Sequence, residues 1–346
     1  MTREPTKQDG RSAAPNVLSQ IDPQLRPFVS ELTKPQGREA NADDLSFDGM
    51  RRRAEVIRAP WRRGGPSMVT VEELQVPTEL GEVRVRLYKA IASTALQPAL
   101  VYLHGGGWTM FSIDTHDRVM RELASRAGIL VVGVDYALSP EAKFPFAIRQ
   151  VNGVVRWLSQ HGAKWGIDTE RLAIGGDSSG ANLAVATSLM LRDAGERRMI
   201  QGMLLIYGCF LGESTESEAT GYGSEENVLS SREMAGFWKN YLADPADARD
   251  PLASPLLARL EGLPPVFQVI AQCDVLAEQG LAFAARLREA GVAAEEREYP
   301  GATHSFLEAV SIADVAGRAL DDSAAWLRKC LQASSDPTGA ERARGS

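Results

Sequence analysis

From Val69 onward the chain repeats one texture. Short strand-like runs, VTVEELQV, EVRVRLYKA, PALVYLHG, ILVVGVDY, RLAIGGD, GMLLIYG, VFQVIAQCD and EEREYPG, follow in order, and helix-like stretches separate most of them. The separators include THDRVMRELASRAG, FAIRQVNGVVRWLSQHG, ANLAVATSLMLRDAG, QGLAFAARLREAG and VAGRALDDSAAWLRKCL, several of which end at Gly as helix C-caps do. Near-continuous apolar strands alternating with helices need cover on both faces, which makes this an α/β chain with a mostly parallel sheet. The eight runs predict eight strands. The first two have no helix between them and are expected to pair antiparallel.

Around this body, 67–332, lie three stretches of different character. The leader, 1–66, is polar and Arg-rich, with weakly amphipathic pieces LRPFVSELT and MRRRAEVIRAPW that read as one or two helices packed on something else. A segment over about 210–260 lacks strand pattern and interrupts the alternation; with the leader it is expected to form a helical cap over the sheet's edge. The end, 333–346, is polar and is expected to be disordered.

Composition narrows the partners. A net charge of −7 gives no electrostatic reason to expect nucleic acid. The N-terminus, MTREPTKQDGRSAAPN, has no apolar signal region behind its charges, and no run approaches the roughly 20 apolar residues of a membrane span; a cytoplasmic location without membrane association is the expectation. Cys209, Cys273 and Cys330 lie far apart without metal-ligand spacing, so reduced thiols and no metal site are expected.

Gly176-Asp177-Ser178-Ser179-Gly180 fits G-x-S-x-G, the pattern of a nucleophile elbow, a strained strand-to-helix turn that lifts a serine oxygen above a sheet. Small flanking residues are needed because the turn brings backbone segments too close for side chains. Ser178 is the nucleophile in this frame; Ser179 is not, since Asp177 stands where its glycine would be. A chance match is expected in about one such chain in five, so the flanks decide: RLAIGG before reads as a buried strand and ANLAVATSLML after as a helix.

A serine needs a base, and the base an orienting group. Of four histidines, His104 belongs to a glycine turn, His116 to a polar helix start and His161 to the end of an exposed-looking helix. His304, in YPGATHSF, follows the last strand-like run, at the sheet edge where open parallel sheets bind ligands. Asp274, just past the preceding run, reaches the same edge; Asp244, Asp247 and Asp250 sit in the irregular segment and read as solvated loop carboxylates. Acyl transfer also needs donors for an oxyanion. In HGGGW, Gly106 and Gly107 are assigned as N–H donors with Gly105 shaping the turn, and the N–H of Ser179 completes the set. Phosphate cradling by the same glycines lacks the P-loop lysine and the G-x-G-x-x-G spacing.

HGGGW at 104–108, DYALSPEAKFP at 135–145, GGDSSGAN at 175–182, Asp274-Val275-Leu276 and GATHSF at 301–306 together resemble the hormone-sensitive-lipase-like α/β-hydrolase esterases, and most of all bacterial acetyl esterases, from about Val69 to Leu331. The resemblance implies an α/β-hydrolase fold with a helical cap partly built from the N-terminus, no cofactor, and hydrolysis of small short-chain acyl esters through Ser178, His304 and Asp274. Val275 and Ser305 depart from the family's usual proline and glycine at those places, which bears on substrate range. Amide or lactone hydrolysis by the same triad stays open. So does a binding module, as in the related plant gibberellin receptors, although these lack the catalytic His. Trp108, Phe111, Phe210 and Leu211 are candidates for lining an acyl pocket or for ordinary core, and Asp135 and Glu141 for bracing the loops or for structural salt bridges. A homodimer is left open.

Overall fold

A computed structural model describes residues 17–34, 46–212 and 222–333. The tail expected to be disordered lies, from residue 334 on, outside the described residues, as do parts of the leader and of the 210–260 segment. Eight strands form one sheet: β1 Thr70–Thr78, β2 Gly81–Lys89, β3 Gln97–Leu103, β4 Leu130–Val134, β5 Ile167–Asp177, β6 Gly202–Ile206, β7 Val266–Cys273 and β8 Ala294–Thr303. Their order is β1-β2-β4-β3-β5-β6-β7-β8. As expected, β1 and β2 form an antiparallel hairpin; β2 also runs antiparallel to β4, and all later neighbours are parallel.

Strand periodicity sorts the side chains into two cores. In β3, Ala99, Val101 and Leu103 face one core while Leu100 and Tyr102 face the other, and β4 divides in the same way at Leu130, Val132 and Val134 against Val131. The first core is covered by α5 Phe146–His161, α6 Ser179–Asp193 and α8 Ala277–Glu289; the second by α4 Asp117–Ala127 and α9 Asp314–Ala333. Because β4 is buried at all five positions, its sequence LVVGV is apolar without alternation. After β3 the chain builds β4 on one side, then crosses to build β5 on the other. That reversal opens a crevice at the carboxyl ends of β3 and β5, the place where such sheets bind ligands.

The leader pieces become α1 Val17–Gln20, α2 Arg26–Thr33 and α3 Phe47–Arg58. Ser46 caps α3 by accepting the Gly49 N–H at 3.0 Å. Phe28 and Val29 of α2 pack into the second core, where Phe28 meets Trp61 edge to face at 4.9 Å. Between β6 and β7 stands α7 Ser231–Tyr241, opened by a capping box in which Ser230 and Glu233 satisfy each other's backbone N–H. Helices α2, α3 and α7 stand over the crevice.

Candidate active site

The turn between β5 and α6 places Ser178 at φ 52°, ψ −119°, a conformation that L-residues rarely adopt. Strain of this kind persists only where the surroundings hold it. Here the Ser178 N–H donates to the Ile206 carbonyl at 2.9 Å, carrying the β5/β6 ladder up to the turn. The flanking glycines have a steric reason. A Cβ at Gly176 would lie 2.1 Å from the Leu103 carbonyl oxygen and one at Gly180 2.0 Å from the same atom, so the end of β3 passes where side chains would be.

His304 directly follows β8 and Asp274 directly follows β7, so parallel strands deliver both to the edge that carries Ser178. His304 Nδ1 lies 2.7 Å from Asp274 Oδ2, and His304 Nε2 lies 3.0 Å from Ser178 Oγ. The other carboxylate oxygen of Asp274 accepts the Leu276 N–H at 3.0 Å, which fixes its plane. All three side chains are buried. With Nδ1 carrying its hydrogen toward the carboxylate, Nε2 is free to accept the serine proton. The rival acids have other work: Asp244 and Asp247 cap a 3-10 turn, and Asp250 accepts the Leu252 N–H at 2.8 Å. His161 stacks on Trp157, far along α5.

The glycine turn follows β3. Gly106 has φ 115° and Gly107 φ 59°, and their carbonyls are turned back into the loop, the first accepting from Thr109 and Met110 N–H, the second from the Thr109 hydroxyl at 3.0 Å. Gly105 donates its N–H to Asp177 Oδ1 at 3.0 Å. Ser179 is the first residue of α6, immediately after Ser178.

Gly106 and Gly107 line the same cavity as Ser178 and His304, a space of about 400 Å³. Its walls are mostly apolar, with Leu32 from α2, Met50 and Ile57 from α3, and Met234 and Phe237 from α7. Of the four residues considered for the pocket wall, only Phe111 lines it. The other three are corrected by packing. Trp108 is fully buried, stacked on Tyr241 at 4.1 Å, and Phe210 is stacked on Phe283 at 4.2 Å. Leu211 does not line the cavity; its N–H donates to the Gln279 side chain at 3.0 Å. Large aromatic residues beside a motif fill the core as readily as a pocket, and the sequence holds no signal that separates the two.

Sequence reasoning also missed the polar group beneath the elbow. Asp177 accepts from the Tyr102 hydroxyl at 2.7 Å and from Gly105, and its Oδ2 lies 3.2 Å from His116 Nε2. Burial alone would push the Asp177 carboxyl up, but His116 and the Tyr102 hydroxyl hold it below its ordinary value. Burial likewise opposes charge on His116, and Asp177 outweighs it, so the ring is raised. His104, stacked on Tyr136 at 4.4 Å, is driven the other way, down to about 4, by burial and then by the neighbouring His116. A second buried pair joins Arg58 of α3 to Glu308 at 2.9 Å, with the guanidinium 4.8 Å over the Phe111 ring.

Residues 100–308 match the model of a family described as alpha/beta hydrolase fold. An acetyl esterase of Salmonella enteritidis is 35% identical over 268 residues, covering 76% of this chain and 81% of its own. An esterase of the archaeon Pyrobaculum calidifontis superposes with a TM-score of 0.83 at 32% identity, over 91% of this chain and 99% of that one. A thermophilic carboxylesterase cloned from a metagenomic library gives a TM-score of 0.80 at 33% identity, over 84% and 100% of the two chains.

Proposed function

Since the chain belongs to the alpha/beta hydrolase family, in its hormone-sensitive-lipase-like branch with the acetyl esterases, we propose that this carboxylic ester hydrolase cleaves short-chain acyl esters through Ser178, His304 and Asp274. The observation that carries the reading is the continuous hydrogen-bonded line from Asp274 through His304 to Ser178 Oγ at the floor of the cavity. His304 Nε2 takes the hydroxyl proton as Oγ attacks the ester carbonyl, and Asp274 holds the ring and balances the charge it gains. The oxyanion that forms is met by the N–H groups of Gly106, Gly107 and Ser179; Gly105 shapes the turn, its own N–H being committed to Asp177. Collapse expels the alcohol with the proton from Nε2. Water then repeats the sequence on the acyl-enzyme and frees the acid.

Short acyl groups follow from the size of the space. A cavity of about 400 Å³ sits near the small end of the roughly 300–1,000 Å³ typical of small-molecule sites, and it holds both the acyl and the alcohol part. The test is turnover of p-nitrophenyl esters from acetate to palmitate, wild type beside Ser178→Ala. Turnover confined to the short chains and abolished in the variant is the expected result. Activity that survives in Ser178→Ala, or a preference for palmitate, refutes the reading.

A further inference from the structure

The stretch after the oxyanion glycines is held in an unfavourable backbone shape. Besides Gly106 and Gly107, Trp108 at φ 56° and Phe111 at φ 71° both adopt left-handed conformations, which ordinary side chains resist. Something outside the loop must keep it there.

Arg51 supplies that restraint from α3. Its Nε donates to the Thr109 carbonyl at 2.9 Å and its Nη2 to the Ser139 carbonyl at 3.0 Å. The Ser139 N–H in turn donates to the Trp108 carbonyl at 2.8 Å, so one guanidinium closes a ring of hydrogen bonds around the strained turn. Glu141 takes the remaining donors in a fork, at 3.0 Å from Nη1 and 2.6 Å from Nη2, and Asp48 lies 3.6 Å from Nη1. The planar fork of Arg suits this set of acceptors, and the point charge of Lys does not. On the same helix the adjacent Met50, and Ala54 and Ile57 about one and two turns further on, line the cavity.

We propose that Arg51 is a positioning residue for the hydrolysis: it locks the loop that presents the Gly106 and Gly107 N–H groups, so that the helix forming the pocket wall also sets the oxyanion site. The inference rests on the assignment of those glycines as oxyanion donors. It makes Arg51 act on the transition state and leave ground-state binding alone.

The test compares Arg51→Gln, Arg51→Lys and Glu141→Gln with wild type on p-nitrophenyl acetate. Rates are normalised to sites titrated by the p-nitrophenol burst from an aryl phosphonate, so that misfolded protein is not counted. Inhibition by a small alkylboronic acid, which mimics the tetrahedral adduct, is measured alongside. Arg51→Gln is expected to lower kcat per titrated site about 10- to 100-fold with KM changed by less than about threefold, and to weaken boronate inhibition by the same factor as kcat/KM. Arg51→Lys and Glu141→Gln fall between, since the first keeps a donor for the ring and the second keeps the ring but loses the charge that aims the guanidinium. Unchanged kcat per titrated site, a raised KM with kcat intact, or a loss of kcat with boronate affinity preserved overturns the proposal. Failure of the underlying assignment looks different: wild-type protein then gives no stoichiometric burst, or no boronate inhibition.

Discussion

Replacing His116 by Gln tests whether the buried pair beneath the elbow carries charge. In the wild type, His116 Nε2 lies 3.2 Å from Asp177 Oδ2, with both side chains nearly inaccessible, at 2% and 5%. After His116→Gln the Oδ1 atom keeps the Tyr102 hydroxyl and the Gly105 N–H, but Oδ2 loses its cation. Breaking a buried pair from one side costs about 3–5 kcal/mol, and a neutral amide hydrogen bond returns about 1, so about 2–4 kcal/mol of stability is expected to be lost. The pH dependence fixes the sign. His116 is raised above its ordinary 6.5, so its contribution is complete below that value and disappears as pH rises through the folded-state pKa. Asp177 is lowered below 3.8, so its contribution is present above that value and is lost only in acid. His104, depressed to about 4, costs the wild type stability as pH falls from 6.5. Removing the His116 charge relieves its share of that cost and leaves the larger share, from burial. The difference between the two proteins is therefore widest near pH 6 and narrows toward pH 9. Urea unfolding followed by tryptophan fluorescence at both pH values measures it. A loss below about 1 kcal/mol at pH 6, or one equal at the two pH values, refutes the ion pair.

Asp274→Asn is expected to lower kcat by about 10⁴ with little change in KM, read on p-nitrophenyl acetate, because the amide presents the wrong hydrogen-bond pattern to His304 Nδ1. Gly180→Ala puts a methyl 2.0 Å from the Leu103 carbonyl and displaces the nucleophile; a kcat loss of at least about 100-fold is expected, with circular dichroism showing the fold retained. Phe237→Ala removes a wall of the cavity, so the ratio of kcat/KM for the octanoate and acetate esters rises. Phe210→Ala leaves that ratio unchanged and instead costs about 3–5 kcal/mol in urea unfolding, since its ring is stacked in the core.

The sheet was legible because its signal is local. A run such as LVVGV, buried at every position, announces a central parallel strand without reference to any other part of the chain. Helix ends were less exact. Gly162 does cap the helix that ends at His161, but in right-handed backbone, φ −59°; the chain runs on through a 3-10 turn, and the left-handed cap comes at Gly166, φ 81°. The positions of Ser178, Asp274 and His304 at the sheet edge are also accessible, because each follows a strand directly, apolar before Ser178 and Asp274 and charged before His304, and parallel strands end on the same side. For Asp135 and Glu141 the sequence does not separate bracing of the loops from plain salt bridges. Asp135 pairs with Arg84 at 2.9 Å, and Glu141 with Arg51.

What the sequence withheld was contact between distant segments. Arg51 meets Glu141 across 90 residues and Arg58 meets Glu308 across 250, and nothing in the local pattern RRRAEVIRAP says which arginine faces a carboxylate and which faces water. The same gap hid Asp177. In the sequence its place before the nucleophile excludes Ser179 and says nothing more, because G-x-S-x-G treats the second position as free. In the fold that position lies under the glycine turn, where a carboxylate can bind the Gly105 N–H on one oxygen and His116 on the other. An apolar residue there would leave the Gly105 N–H and His116 buried without an acceptor, and an amide would leave His116 without its counter-charge, at about 1–3 kcal/mol for a neutral group and more for a charged one. The charge at 177 thus follows from the two loops that meet there, β3 to the glycine turn and the start of α4, and it becomes readable only once the strand order has brought them together.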